Sequence, residues 1–147
     1  MAEHELKVGR RAGRRGSVLY LDMDGFKRIN DEHGHAEGDQ ALRAVADVLR
    51  HTIREGDLAA RLGGDEFVVY ATGAATADEG EALAARLRQQ LSRANEAAMA
   101  EGRPYALRFS VGVAATEGGD DLDAVLTRAD AALYARKLAR RANAGEH

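Results

Sequence analysis

The sequence predicts an α+β fold of the ferredoxin-like βαββαβ kind: one palm-like sheet with helices packed on it. Three observations carry this. Short strand-like apolar runs alternate with longer amphipathic stretches in the order β-α-β-β-α-β-α, with the first helical connection split in two. Gly63 and Gly64 stand between apolar runs at 58–62 and 67–71, where they supply the positive φ angles of a tight hairpin. A right-handed crossover followed by a hairpin then sets the third strand beside the first.

At 147 residues, 45% of them hydrophobic and 31% charged, the chain is long enough for one domain with its own core. The absence of cysteine excludes a disulfide framework and a zinc-thiolate site. A formal net charge of −3 speaks against a general nucleic-acid binder. No apolar run reaches the length of a membrane span, and the N-terminus has no signal-peptide core. The expected setting is the cytoplasm, with neither nucleic acid nor a membrane as partner.

Residues 1–16 carry Arg10, Arg11, Arg14 and Arg15 among glycines. They read as a basic linker or a truncated N-terminal helix, in preference to an arm for nucleic acid or lipid; the domain proper is 17–147. Residues 17–24 form an apolar run that ends in acid, a central strand buried on both faces. Alternation puts Asp22 and Asp24 on the same side. A carboxylate closing a buried strand is costly unless a cation meets it. Asp22 is therefore the expected ligand, and Asp24 the expected N-cap of a helix from Gly25 to about His33. On that helix Phe26 and Ile29 share one face, leaving Lys27 and Asn30 for polar tasks. Residues 34–39 read as a loop with Asp39 as the next N-cap. His33 and His35 have no third ligand at metal spacing and are expected to be structural or surface residues.

Residues 40–54 form an amphipathic helix with Leu42, Val45, Leu49 and Ile53 inward. The hairpin follows. Residues 75–100 repeat the pattern with Leu83, Leu87, Leu91 and Ala94, and Gly102-Arg103-Pro104 stops them. Residues 105–115 alternate as a strand with Leu107, Phe109, Val111 and Val113 on one face. After an acidic turn, the last helix runs from 122 to about 141 on a stripe of Leu122, Val125, Leu126, Ala129 and Leu133. Steps of four extend that stripe to Lys137 and Arg141, two cations expected at the rim of the sheet. The helix macrodipole accounts for cations there but not for their alignment.

An antiparallel third strand begins where the first ends, so Asp65 and Glu66 should converge on Asp22 and Asp24. Carboxylates gathered at one sheet edge suit a divalent cation, and Mg²⁺ with a few carboxylates plus substrate phosphates is a usual composition. Such metals activate a hydroxyl and stabilise a leaving group in an in-line displacement. The residues alone thus reach metal-dependent phosphate chemistry, without base or product. No Gly-x-x-x-x-Gly-Lys-Ser/Thr loop and no Ser-His-Asp or Cys-His system offers another route.

Gly63-Gly64-Asp65-Glu66-Phe67 is the signature of the GGDEF family, the diguanylate cyclases, and the chain resembles that family over about residues 18–141. Residues 21–31 (Leu-Asp-Met-Asp-Gly-Phe-Lys-Arg-Ile-Asn-Asp) resemble its first metal and substrate motif. Gly34-His35 with Gly38-Asp39 resembles the next segment, and Ala129 to Tyr134 with Lys137 the C-terminal helix. The resemblance implies a nucleotidyl-cyclase-like palm and a reaction joining two GTP into cyclic di-GMP, a second messenger, with release of two pyrophosphates. It implies two Mg²⁺ (or Mn²⁺) per active site on Asp22, Asp65 and the Met23 carbonyl. Glu66 would assist, within a catalytic hairpin that includes Gly63 and Gly64. Asn30 and Asp39 would bind the guanine edge, and Leu42 would line its pocket. Amides near Phe26 and Lys27, with Lys137 and Arg141, would hold the β- and γ-phosphates. A homodimer would be needed, each domain bringing one GTP. Arg54-x-x-Asp57 matches the family's product-inhibition motif, with Arg86 a secondary contact. An N-terminal sensory domain is expected in the full-length protein.

The chain departs from the family pattern twice. Residues 1–16 hold nothing like the Asp-x-Leu-Thr-Gly-Leu-x-Asn-Arg segment, and Arg140 replaces a glycine expected after the C-terminal lysine. The rival expectation is a catalytically silent GGDEF domain acting as a cyclic di-GMP or GTP receptor. A cyclase making a mixed guanine-adenine product is disfavoured, because Asp39 suits guanine's N1 and N2 donors.

Overall fold

The structure, a computed structural model, describes residues 15–117 and 120–145. All but the last two residues of the expected 1–16 linker lie outside the described residues. The elements are β1 (Ser17–Met23), α1 (Phe26–His33), α2 (His35–Thr52), β2 (Leu58–Gly63), β3 (Glu66–Ala71), α3 (Ala77–Ala100), β4 (Phe109–Ala115) and α4 (Leu122–Gly145). The sheet order is β2-β3-β1-β4 with every neighbouring pair antiparallel, the ferredoxin-like arrangement the element order predicts. No helix among the described residues is long and apolar enough to cross a membrane.

Alternation along the central strand builds two cores. Leu19 and Leu21 of β1 pack with Phe67, Val69 and Val111 against Val45 and Leu49 of α2 and Leu87 and Leu91 of α3. Val18 packs on the opposite face with Val68, Tyr70 and Ala114 against Leu122, Val125 and Ala129 of α4. Each of the leucine, valine and phenylalanine side chains among these, when fully buried, is worth roughly 1.5–3 kcal/mol of transfer free energy. The stripes expected of the three long helices are the ones that face inward, with Ile53, Leu83, Ala94 and Leu126 at the partly buried margins. α4 approaches unusually closely because β4 carries Gly112 beneath it. A Cβ there would stand 2.1 Å from the Ala129 carbonyl oxygen and 2.3 Å from the Leu133 nitrogen.

Four local expectations are corrected. α2 begins at His35, so the loop expected at 34–39 reduces to Gly34, and Asp39 lies inside the helix rather than capping it. The physical reason is Gly34 itself, which ends α1 at a φ of 91° and lets the chain restart at once. Asp24 does not cap α1: the N-cap is Gly25, with no side-chain bond, and the Asp24 carboxylate is held elsewhere. β4 starts at Phe109, not 105: its last registered pair with β1 is Met23–Phe109, and one further backbone bond, from the Asp24 N–H to the Arg108 carbonyl at 2.8 Å, is made before the two chains part. The preceding backbone is taken up by α3 instead: Asn95 Nδ2 donates to the Leu107 carbonyl and Asn95 Oδ1 accepts from the Leu107 N–H, each at 2.8 Å. Finally, α3 begins at Ala77, where Thr76 caps it by accepting from the Glu79 N–H at 3.1 Å.

Candidate active site

The hairpin delivers its acids through the geometry of two glycines. Gly63 (φ 144°) and Gly64 (φ 51°) turn the chain in a region that side chains disfavour, and Arg61 Nε secures the turn by donating to the Gly64 carbonyl at 2.9 Å. The turn closes over the end of β1: the Met23 N–H donates to the Asp65 carbonyl at 3.1 Å, and Asp22 stands opposite Glu66 in the ladder. Asp65 therefore meets Asp22. Its carboxyl is pushed up to about 6, first by burial and then by the Asp22 carboxylate beside it.

Asp22, half-buried, finds a cation to meet its carboxylate. One of its oxygens, Oδ2, is paired with Lys137 Nζ from α4. The other, Oδ1, is buried without a hydrogen-bond partner. Glu66 turns to the α4 face, where Tyr20 donates its hydroxyl to Oε2 at 2.9 Å. Burial, then the bond to Glu66, raises the Tyr20 phenol far above its ordinary range. Asp24 stays at the rim. Its Oδ1 accepts from Ser110 Oγ at 2.8 Å and its Oδ2 from Arg140 Nη1 at 3.0 Å. The expected meeting of four acids is thus a close Asp22–Asp65 pair, with Glu66 and Asp24 each occupied by a neighbour.

A cleft of about 370 Å³ opens over this pair and is lined by Asp22, Met23, Asp24, Gly25, Phe26, Lys27, Asp65, Lys137, Arg140 and Arg141. It brings together the residues expected at metal and at phosphate, and α4 supplies three cations at 137, 140 and 141 from one face. Arg140, Ser110 and Tyr20 were absent from the expected set. The spacing of Arg140 from Lys137 is the signal that could have revealed it. The residues expected at guanine lie outside this lining, further along α1 and on α2. The Asn30 side chain packs on Gly38, where a Cβ would stand 1.8 Å from Asn30 Oδ1; Leu42 is buried and Asp39 exposed. His33 stacks on Tyr105 at 4.8 Å between ring centroids, a structural role in keeping with expectation.

A second cleft, of about 350 Å³, gathers Arg54, Asp57 and Arg86 with Glu79 and Leu83. Asp57 is fixed there: Oδ2 accepts from the Arg54 N–H at 3.1 Å, and Oδ1 from the Thr72 N–H at 3.0 Å. The Arg54 and Arg86 side chains stay exposed.

Among the described residues no group of three or more His, Cys, Asp or Glu side chains is spaced to hold a metal ion. The donor set on hand is two carboxylates, Asp22 and Asp65, beside the Met23 main chain. It fits a divalent cation on two counts. Asp22 Oδ1 is a buried acceptor without a donor, and the crowding that lifts Asp65 is of the kind a cation between the two groups would relieve.

Comparison with known proteins agrees with this geometry. The family profile described as "Diguanylate cyclase, GGDEF domain" matches residues 1–143. The diguanylate cyclase DgcP of Pseudomonas aeruginosa is 41% identical over 139 residues, 93% of this chain and 20% of DgcP. The cyclic di-GMP phosphodiesterase NbdA of the same organism is 39% identical over 130 residues, 87% of this chain and 16% of NbdA. The chain thus spans about a fifth or less of the length of these relatives. Among solved structures, diguanylate cyclase SiaD of P. aeruginosa, in complex with its activator SiaC, superposes with a TM-score of 0.75 at 29% identity, covering 92% of this chain and 51% of that one. A microbial GGDEF domain solved for its interaction with cyclic di-GMP gives 0.70 at 34% identity, covering 92% and 81%. With the Gly63–Phe67 signature seated on the end of β1 and a match running through almost all of the sequence, the chain belongs to the GGDEF family of diguanylate cyclase domains.

Proposed function

We propose that this domain is an active diguanylate cyclase that condenses two GTP into cyclic di-GMP and two pyrophosphates, working as a homodimer. The observation that carries the proposal is the half-buried Asp22–Asp65 pair, with one buried oxygen lacking a hydrogen-bond partner, in a cleft also lined by Lys27, Lys137 and Arg141. Anionic floor and cationic rim match a triphosphate carried on divalent metal.

Two Mg²⁺ or Mn²⁺ held by Asp22, Asp65 and the Met23 carbonyl would activate the 3′-hydroxyl and neutralise charge at the α-phosphate. The chain's own groups bind and orient. Lys137 and Arg141 hold the β- and γ-phosphates, with the amides of Phe26 and Lys27 at the N-terminus of α1. Asn30 and Asp39 read the guanine edge, and Leu42 closes its pocket. Glu66, kept in place by Tyr20, orients the reacting groups from beside Asp65. Each 3′-hydroxyl attacks the α-phosphorus of the other nucleotide, and the bond to the β-phosphate bridging oxygen breaks. A single domain holds one GTP and cannot complete the ring, so two domains face each other. Arg54, Asp57 and Arg86 bind product in the second cleft and restrain turnover. In the same reading the domain works under a sensory domain N-terminal to it in a full-length protein; the relative DgcP is itself about five times the matched length.

Asp65→Ala tests this: cyclic di-GMP synthesis should vanish while cyclic di-GMP still binds at Arg54. Loss of both together would contradict two separate sites. The second reading, a silent receptor for cyclic di-GMP, draws support from the second cleft, which is built without any residue of the first. It would prevail if wild-type protein bound cyclic di-GMP but made none.

A further inference from the structure

One cation of the active-site cleft has no role in the scheme above. Arg140 stands beside Arg141, where the family resemblance has glycine. Its guanidinium is anchored. Nη1 donates to Asp24 Oδ2 at 3.0 Å and Nη2 to Ser110 Oγ at 2.7 Å, while Ser110 Oγ donates to Asp24 Oδ1 at 2.8 Å. The three side chains close a ring. Ser110 is 2% exposed and sits opposite Asp22 on the β1–β4 ladder, so the ring is rooted in the sheet.

The anchoring leaves Arg140 with capacity to spare. A guanidinium has five N–H donors, and these contacts occupy two of its nitrogens. Its side chain remains 58% exposed and lines the same cleft as Lys27, Lys137 and Arg141. An arginine on a free surface must lose rotamer freedom to grip an anion, whereas this one is already held. Its charge also offsets Asp24, whose carboxylate would otherwise repel an anion entering the cleft.

We propose that Arg140 is an additional phosphate-binding side chain of this site, directed at the terminal phosphates of a nucleoside triphosphate, and that Asp24 and Ser110 are its positioning residues. This rests on the reading that the cleft binds GTP. Positions 137, 140 and 141 share one face of α4, so the three cations form one surface for a polyphosphate.

The test is equilibrium binding of GTP and of GMP, with Mg²⁺, to the full chain and to Arg140→Ala, Arg140→Lys, Ser110→Ala and Arg136→Ala. The last removes the same charge from α4 at a residue paired with Glu81, outside the cleft lining. Arg140→Ala should weaken GTP about tenfold, the size expected for one charge-assisted contact, and leave GMP unchanged. Arg140→Lys should recover part of the loss, Ser110→Ala should show a smaller loss, and Arg136→Ala none. Unchanged GTP affinity in Arg140→Ala, or equal weakening of GTP and GMP, would overturn the role of Arg140 while leaving the cyclase reading standing. Wild-type protein that binds GTP no better than GMP would overturn both.

Discussion

Asp22 and Asp65 are placed by different parts of the chain, and their meeting fixes what each can do. Two half-buried carboxylates side by side repel each other in the fold, and Lys137 offsets only one of them. Asp65→Ala should therefore abolish turnover, a loss of at least about 100-fold, without lowering the urea midpoint of the metal-free protein. A mutant that lost stability along with activity would show Asp65 acting as a structural residue. Asp22 was legible because an antiparallel hairpin beside β1 admits one register, which puts β3's first residue against β1's last acid. The partners of Asp24 were not. Ser110 and Arg140 lie 86 and 116 positions away, and nothing local to Asp24 distinguishes that arrangement from a helix cap. At the second cleft, Arg54→Ala should let cyclic di-GMP accumulate past the level at which wild-type synthesis stalls, as read from progress curves.

α4 sets the candidate active site at the scale of elements, since every cation it contributes depends on how closely it lies on β4. Gly112→Ala would push a methyl group into helix backbone that cannot rotate aside. It should cost about 1–3 kcal/mol by urea denaturation and raise the KM for GTP by displacing Lys137 and Arg141. The stripe of α4 was readable to its end because apolar spacing at 3.6 residues continues into the cations. The start of β4 was not, because the alternation of 105–115 is real while the neighbouring strand stops at Met23.

The segment before β4 is pinned differently. Tyr105 donates its hydroxyl to Glu37 Oε2 at 2.6 Å, under Arg103, whose guanidinium carbon lies 5.2 Å from the ring centroid. Burial and then Glu37 push its phenol up to about 12 from an ordinary 10.0. A raised folded value means this contribution is intact below pH 10 and is lost as pH rises through about 12. Tyr105→Phe should flatten that part of the alkaline stability profile. An unchanged profile would show that the Tyr105–Glu37 bond contributes nothing.

Across the whole molecule, one strand connects the two clefts. β3 begins beside Asp65 and ends at Ala71, which lines the cleft of Arg54 and Asp57. Six residues of strand separate them by roughly 20 Å. In the proposed scheme, product held in the second cleft lies a strand's length from the Asp22–Asp65 pair of its own domain. The sheet order was legible from the element order alone, since a crossover followed by a hairpin leaves few ways to close the sheet. The second cleft was legible only through the resemblance. An Arg-x-x-Asp at a helix end has no spacing that marks it as a site until Thr72 and Arg86 are folded against it.

In the proposed reaction this domain makes cyclic di-GMP from GTP by pairing two copies. The direct measurement is cyclic di-GMP formed from GTP and Mg²⁺, resolved chromatographically, over a wide range of protein concentration. Synthesis should rise more steeply than linearly with protein and be absent in Asp65→Ala. No product at the highest concentration, with cyclic di-GMP still bound, would contradict it and assign the domain to the receptors.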